Sequence, residues 1–397
     1  MSTPFGHAMR AHFPLEPQTL YLNHGTVGVT PWRVLAAQQA LRQEMERQPA
    51  RFVLRELSSQ SPGVPAHKPR LRVAADAVAA YLGGRGEDLV FVDNATTGIN
   101  AVLRSLPFGP GDEIVVPDLA YGAVINTARY VARERGATLV TAELPFPVAD
   151  SCKVVEALEA ALTPRTRLVI VDHITAETAL LLPLEAIVAL CKSKGVPVLV
   201  DGAHAPGAIP LNLERIGADY YVGNLHKWAF APRGSGFLWA KPERQAGLHP
   251  TVISWGLDNG FTQEFDWLGT KDPTPFLAAP EGIAFIRDLG EDAMRGYNQA
   301  LAWEAAHWLS ERLGTGFAVP RSMTGCLVSV PLPVKFGSSP DHAARLKDAL
   351  LFDHHIEIPV LSVRGRLYAR ISAQVYNEMA DLERLEGALN SLVRAAG

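Results

Sequence analysis

The chain has 397 residues, 48% of them hydrophobic and 20% charged, a balance that suits a large folded domain plus a smaller one and excludes a disordered chain. A net charge of only −4 gives no reason to expect nucleic acid or an anionic membrane surface as a partner. The opening MSTPFGHAMRAHFPLEP lacks the basic end and apolar core of a secretory signal, no apolar run reaches the roughly eighteen residues of a membrane span, and Cys152, Cys191 and Cys326 show no CxxC spacing; a reducing cytoplasm is the expected location.

In chain order, Leu20-Tyr21-Leu22 is a short apolar run that breaks into the polar turn Asn23-His24-Gly25. Pro31 opens a helix to about Arg47, proline being tolerated at a first helical position, and Arg51 and Arg55 beyond it read as a solvated face or, as the alternative, an anion contact. Residues 70–82 have helical periodicity ended by Gly83-Gly84. The apolar run Leu89-Val90-Phe91-Val92 then breaks into Asp93-Asn94-Ala95-Thr96-Thr97-Gly98 before a helix over 99–106. A strand, a small polar turn and a helix start leave backbone N–H groups free for an anion, although Thr96 or Thr97 serves equally well as an ordinary N-cap. A strand over 113–116 is followed by the turn Pro117-Asp118-Leu119-Ala120-Tyr121, a helix over 122–135 and a strand over 138–141. Tyr121 stands where an aromatic ring either packs in the core or lies on a bound planar ring.

A helix over 154–162, a strand over 167–171 that runs into Asp172-His173-Ile174-Thr175-Ala176-Glu177-Thr178, and a helix over 184–194 lead to the most informative stretch, 198–239. Two apolar runs there each end in reactive residues: Val198-Val200 in Asp201-Gly202-Ala203-His204, and Tyr220-Val222 in Asn224-Leu225-His226-Lys227. A buried strand that stops at a carboxylate and a glycine delivers that side chain to the carboxyl edge of a parallel sheet, where open α/β folds place ligands. Lys227, between His226 and Trp228, has an apolar neighbourhood that disfavours its charged form and suits a covalent amine. The alternation of strands and helices from 89 to 223 predicts a largely parallel, helix-covered sheet, and the absence of GxGxxG and GxxxxGK[ST] argues against dinucleotide and P-loop sites.

Farther on, Phe265-Asp266-Trp267-Leu268-Gly269-Thr270 reads as a loop; helices over 280–288 and 294–313 lead into a C-terminal module with strands over 326–330, 356–360 and 366–372, a helix over 342–351 and an amphipathic helix over 379–394. Arg370, inside an otherwise apolar strand, needs an anion: an internal salt bridge or a ligand carboxylate that matches its planar fork. His354-His355 lacks HExxH spacing and clustered carboxylates, so no metal site is expected.

The segments 89–121, 198–239 and 356–377 resemble the class V, fold-type I enzymes that use pyridoxal 5′-phosphate (PLP), and within them the isopenicillin N epimerase-like group. The resemblance implies an α/β fold with a mostly parallel, seven-stranded type of sheet covered by helices and a small α+β C-terminal domain, divided as an N-terminal cover over 1–50, a PLP-binding domain over 51–279 and a small domain over 280–397. It implies that Lys227 carries the cofactor covalently, that Asp201 pairs with the pyridine nitrogen, that Ala95, Thr96 and Thr97 grip the phosphate, and that Tyr121 stacks on the ring, with His204, Asn224 and His226 as further cofactor contacts. Asn23 and His24 are expected to contact the substrate, Arg370 to hold its α-carboxylate, and Thr270 to reach the phosphate of a neighbouring subunit, which makes a homodimer with shared sites the working unit. Ala176, where relatives often carry asparagine or serine, and Glu177, where they carry a small residue or proline, depart from the family pattern, and the lack of cysteine between Ser338 and Arg370 argues against persulfide transfer. The expected activity is α-proton abstraction from an α-amino acid leading to epimerisation; the alternatives are a C–S β-lyase of the hercynylcysteine sulfoxide lyase type, then an aminotransferase, and last a non-catalytic PLP-binding protein.

Overall fold

The computed structural model describes residues 5–58, 67–147 and 150–395. Its strands, in chain order, are β1 (Leu20–Tyr21), β2 (Leu89–Val92), β3 (Glu113–Pro117), β4 (Thr138–Ala142), β5 (Thr166–Asp172), β6 (Val198–Gly202), β7 (Tyr220–Asn224), β8 (Gly236–Ala240), β9 (Leu327–Pro331), β10 (Ile356–Glu357), β11 (Val360–Val363) and β12 (Arg366–Ser372). Seven of them form the large sheet in the order β2-β8-β7-β6-β5-β3-β4, in which β8 alone runs against its neighbours. The carboxyl ends of the other six therefore lie along one edge, as the alternation of strands and helices predicts.

These strands are buried on both faces, which is why they read as continuous apolar runs rather than alternating ones. Because successive side chains point to opposite faces, Ile170, Leu199 and Val222 join the core beneath the helices Ala95–Ser105 and Gly122–Arg135, whereas Val171, Val200 and Tyr221 join the core on the other face. Each such fully buried side chain contributes about 1.5–3 kcal/mol.

The C-terminal module pairs β11, β12 and β9 in an antiparallel sheet around a separate core that includes Leu309, Val330, Ile371 and Leu385. The strand expected over 356–360 is two strands, split at Ile358-Pro359: β10 lies parallel to β1 from the N-terminal segment, and β11 joins β12. Proline has no N–H to give a ladder, so the chain changes partner there. The helix expected to start at Ile99 starts at Ala95, because the Asn94 side chain accepts the Thr97 N–H at 2.9 Å. Asn94, not either threonine, is the cap. Among the described residues no helix is long and apolar enough to cross a membrane.

Candidate active site

Three neighbouring strands end in polar residues on the same face of the large sheet. In-register pairing sets Asp172 of β5 beside Asp201 of β6 and Asp201 beside Val222 of β7, so Asp172, Asp201 and Asn224 form a row at the carboxyl edge, all buried. Each one is met by a backbone N–H: Asp201 Oδ1 accepts from Ala203 at 2.9 Å, Asn224 Oδ1 accepts from Ala95 at 2.8 Å, and the Tyr121 N–H points at Asp172. The row thus fixes the starts of the two helices that cover it.

Lys227 follows β7 and turns its amine back over this row, with Nζ 3.2 Å from His204 Nε2. Burial, assisted by the charge of Arg370 and opposed by that of Asp201, lowers its pKa to about 8. Burial also raises the Asp201 carboxyl, against the Ala203 N–H and the charge of Lys227, and raises Asp172 well above the ordinary range, Asp201 adding to that effect. Two carboxylates side by side in a dry row cannot both stay charged without a cation. His204 and His226 are held neutral by burial.

Behind the lysine, the N-terminal turn packs directly on its backbone. The His24 ring is wholly buried, with Nε2 donating to the Lys227 carbonyl at 3.0 Å and Nδ1 facing Tyr376 Oη at 2.9 Å. Both ring nitrogens are engaged and burial lowers the pKa to about 3, so His24 supports the lysine from below and does not reach a substrate as expected. Asn23 donates through Nδ2 to Glu357 Oε1 at 2.6 Å, while its buried Oδ1 has no partner among the described residues. Gly207, with φ at 87°, lets the chain cross the Trp228 carbonyl; a Cβ there would collide with the Trp228 backbone next to the lysine. Gly207→Ala is expected to cost about 1–3 kcal/mol and to loosen the Lys227 turn. A lower melting temperature with weaker cofactor retention in the purified variant checks this, and an unchanged melting temperature counts against it.

Arg370 reaches the same space from β12. Its guanidinium donates to the Ala176 carbonyl and to Thr26 Oγ1, Nε is buried without a partner, and it makes no salt bridge among the described residues. The internal ion pair that was the other reading of this residue is therefore not present, and burial lowers the guanidinium's pKa to about 10. In the first turn of the helix Ala95–Ser105, Ala95 and Thr97 N–H are taken by Asn224 and Asn94, the Thr97 hydroxyl lies 3.3 Å from Asn94 Oδ1, and the Thr96 N–H has no partner among the described residues. Tyr121 is 45% exposed at the start of the next helix. Thr270 is exposed in the loop after the helix Phe261–Asp266, and the neighbouring Lys271 ties that loop to Asp93 at 2.9 Å. The structure thus gathers Lys227, Asp201, His204, Asn224 and Arg370 around one space.

Sequence reasoning gave no role to Asp172, Thr26 or Tyr376. Asp172 was discoverable, since VIVD at the end of β5 repeats the VLVD that ends β6. Thr26 and Tyr376 act through contacts across hundreds of residues and leave no local signal.

A near-neutral buried amine, a buried carboxylate beside it and an open first-turn N–H on one edge of a mostly parallel seven-stranded sheet define a fold-type I site in which a lysine holds PLP. The residues fit that group: among the described residues Asp201 makes no salt bridge of the kind a protonated pyridine nitrogen supplies, and the Thr96 N–H meets no anion. The pattern that defines the family Aminotransferase class-V matches residues 28–385, and the chain belongs to that family of PLP enzymes. The chain is 33% identical to an isopenicillin N epimerase from Streptomyces clavuligerus, over 96% of this chain and 97% of that enzyme. It is 33% identical to an L-cysteine desulfhydrase from Arabidopsis thaliana, over 94% of this chain and 87% of that enzyme. A cysteine desulfurase from Escherichia coli, 22% identical, shares the fold with a TM-score of 0.78 over 99% of this chain and 100% of the other.

Proposed function

We propose that the chain cleaves a C–S bond in a cysteine-like L-α-amino acid by removing the α-proton and expelling the β-sulfur. The observation that carries this reading is that the site holds one amine able to change protonation near neutral pH, while burial keeps the imidazoles of His24, His173, His204 and His226 unprotonated. β-Elimination asks for one base at the α-carbon. PLP, when bound, supplies the sink for the electron pair left as the α C–H bond breaks. Arg370 holds the substrate α-carboxylate in its planar fork, which aims the α-proton at Lys227 Nζ, and Lys227 takes that proton in its neutral form. Asp201 keeps a proton on the pyridine nitrogen, and Asp172 and Asn224 fix the helix starts around it. The enamine released by loss of the sulfur hydrolyses to pyruvate and ammonium.

Epimerisation is the second reading, favoured by the match to isopenicillin N epimerase along nearly the full length of both chains. It requires the proton to return on the opposite face, and Tyr121 at the mouth is the residue we assign to deliver it. Incubating the holoenzyme with L-cysteine and S-alkyl-L-cysteines in deuterated water separates the two. We expect pyruvate in step with released thiol. α-Deuterated amino acid of scrambled configuration without pyruvate transfers the assignment to an epimerase, and neither product from any amino acid overturns both.

We further read the working unit as a homodimer in which Thr270 serves the neighbouring site. The exposed side chains Val252, Ile253, Trp255 (84% exposed) and Leu257 lie in the segment before that loop, where a second copy would cover them.

A further inference from the structure

The turn after β5 carries an acid at its tip and is held from both sides. Within it, the Thr175 carbonyl accepts the Ala179 N–H at 3.1 Å, Thr175 Oγ1 accepts the Leu180 N–H at 2.8 Å, and the Thr175 and Thr178 hydroxyls are 2.6 Å apart. Ala179 takes a left-handed φ of 57°, a conformation that a side chain adopts only when its surroundings enforce it. From outside, Arg370 donates to the Ala176 carbonyl, Ser329 Oγ donates to the Glu177 carbonyl at 2.6 Å, and the Leu181 N–H donates to Met323 at 2.9 Å. The Glu177 backbone is therefore fixed beside the guanidinium, yet its side chain is exposed and makes no salt bridge among the described residues. Among the described residues no salt bridge accounts for a carboxylate in that place.

The charges facing the mouth give it a purpose. Arg370 is the cation whose field Glu177 feels, while Asp201 and Asp172 lie buried at the sheet edge. Once a substrate carboxylate occupies Arg370, that cation is matched and Glu177, the residue after the carbonyl that Arg370 grips, is left as an unbalanced negative charge beside the anchor. We propose that Glu177 selects the charge of the substrate's far end, so that the enzyme prefers an α-amino acid whose β-substituent carries a cationic group and disfavours one that ends in a second carboxylate. This rests on the reading of Arg370 as the anchor of the α-carboxylate.

The test uses the holoenzyme with three L-cysteine S-conjugates of matched length, S-(2-aminoethyl), S-propyl and S-(2-carboxyethyl), and with α-methyl amino acids bearing the same three kinds of end, which bind but have no α-proton to lose. Binding of the latter is read from the change in cofactor absorbance, so the charge preference is measured whether bound amino acids are cleaved, epimerised or neither. Wild type is expected to favour the cationic end over the neutral one by about fivefold, and the preference should shrink as salt is added. Glu177→Gln should lose that advantage, leave the neutral ligand unchanged and improve the anionic one, and Glu177→Lys should reverse the order. A wild type that binds all three ends equally, or a Glu177→Gln that weakens all three alike, overturns this inference alone. A wild type whose cofactor spectrum responds to no amino acid overturns the proposed function and this inference with it.

Discussion

Lys227→Ala is expected to abolish turnover of every amino acid, with a loss of at least about 10^4-fold in kcat, and to leave the protein unable to hold its cofactor covalently. The size of the effect follows from the two tasks that the proposed mechanism puts on one atom: Nζ both carries the cofactor and takes the substrate proton. His204, 3.2 Å from Nζ, cannot replace it, because burial and the charge of Arg370, both of which the variant keeps, hold its imidazole neutral. Borohydride reduction followed by peptide mapping locates the attachment, and a label on another lysine refutes the assignment. The amine's acidity adds a second readout. Only the neutral form attacks a carbonyl, so cofactor uptake by the apoenzyme should rise about tenfold per pH unit below the Lys227 pKa of about 8 and level off above it. A solvated lysine would place that plateau more than two units higher.

Arg370→Ala is expected to lower kcat/KM for α-amino acids about 10^2-fold, mostly through KM, the loss of two charge-assisted hydrogen bonds being worth about 1.5–3 kcal/mol or more in a dry site. Arg370→Lys should recover little, since an ammonium cannot present a planar fork. Because the guanidinium also holds Ala176 and Thr26, the variants should first be shown to keep the cofactor's absorbance. Amino-acid amides, which lack the carboxylate, should lose almost nothing between wild type and variant. Unchanged kcat/KM for free amino acids would mean that the substrate is not held by an α-carboxylate, as in a sugar aminotransferase.

The elements with strong local signals were legible in the sequence. Apolar runs ending in Asp201 and in Asn224 marked strands whose ends face a site, and Lys227 was marked by its apolar neighbours. The order of the strands was not, because which strands pair depends on helix packing over long separations. The start of the helix at Ala95 was hidden because Asn94 looks like one more turn residue until its side chain is seen accepting the Thr97 N–H. The role of His24 was misread for a related reason: a histidine after a short strand has the same local pattern whether it faces a ligand or, as here, is buried between Tyr376 and the lysine backbone. Arg370 needed an anion on general grounds, and the structure removes the internal candidates without naming the external one.

The N-terminal segment that underlies the lysine is itself completed by the far end of the chain. Leu20 pairs with Ile356, Asn23 bridges to Ser372, His24 meets Tyr376 and Thr26 meets Arg370. Contacts so distant in sequence form late. The sheet edge that carries Asp201 and Lys227 is built from residues 89–240, whereas its floor and its anchor need residues 356–376 as well. A chain cut before Tyr376 should therefore hold its vitamin weakly, which absorbance of the purified fragment would show.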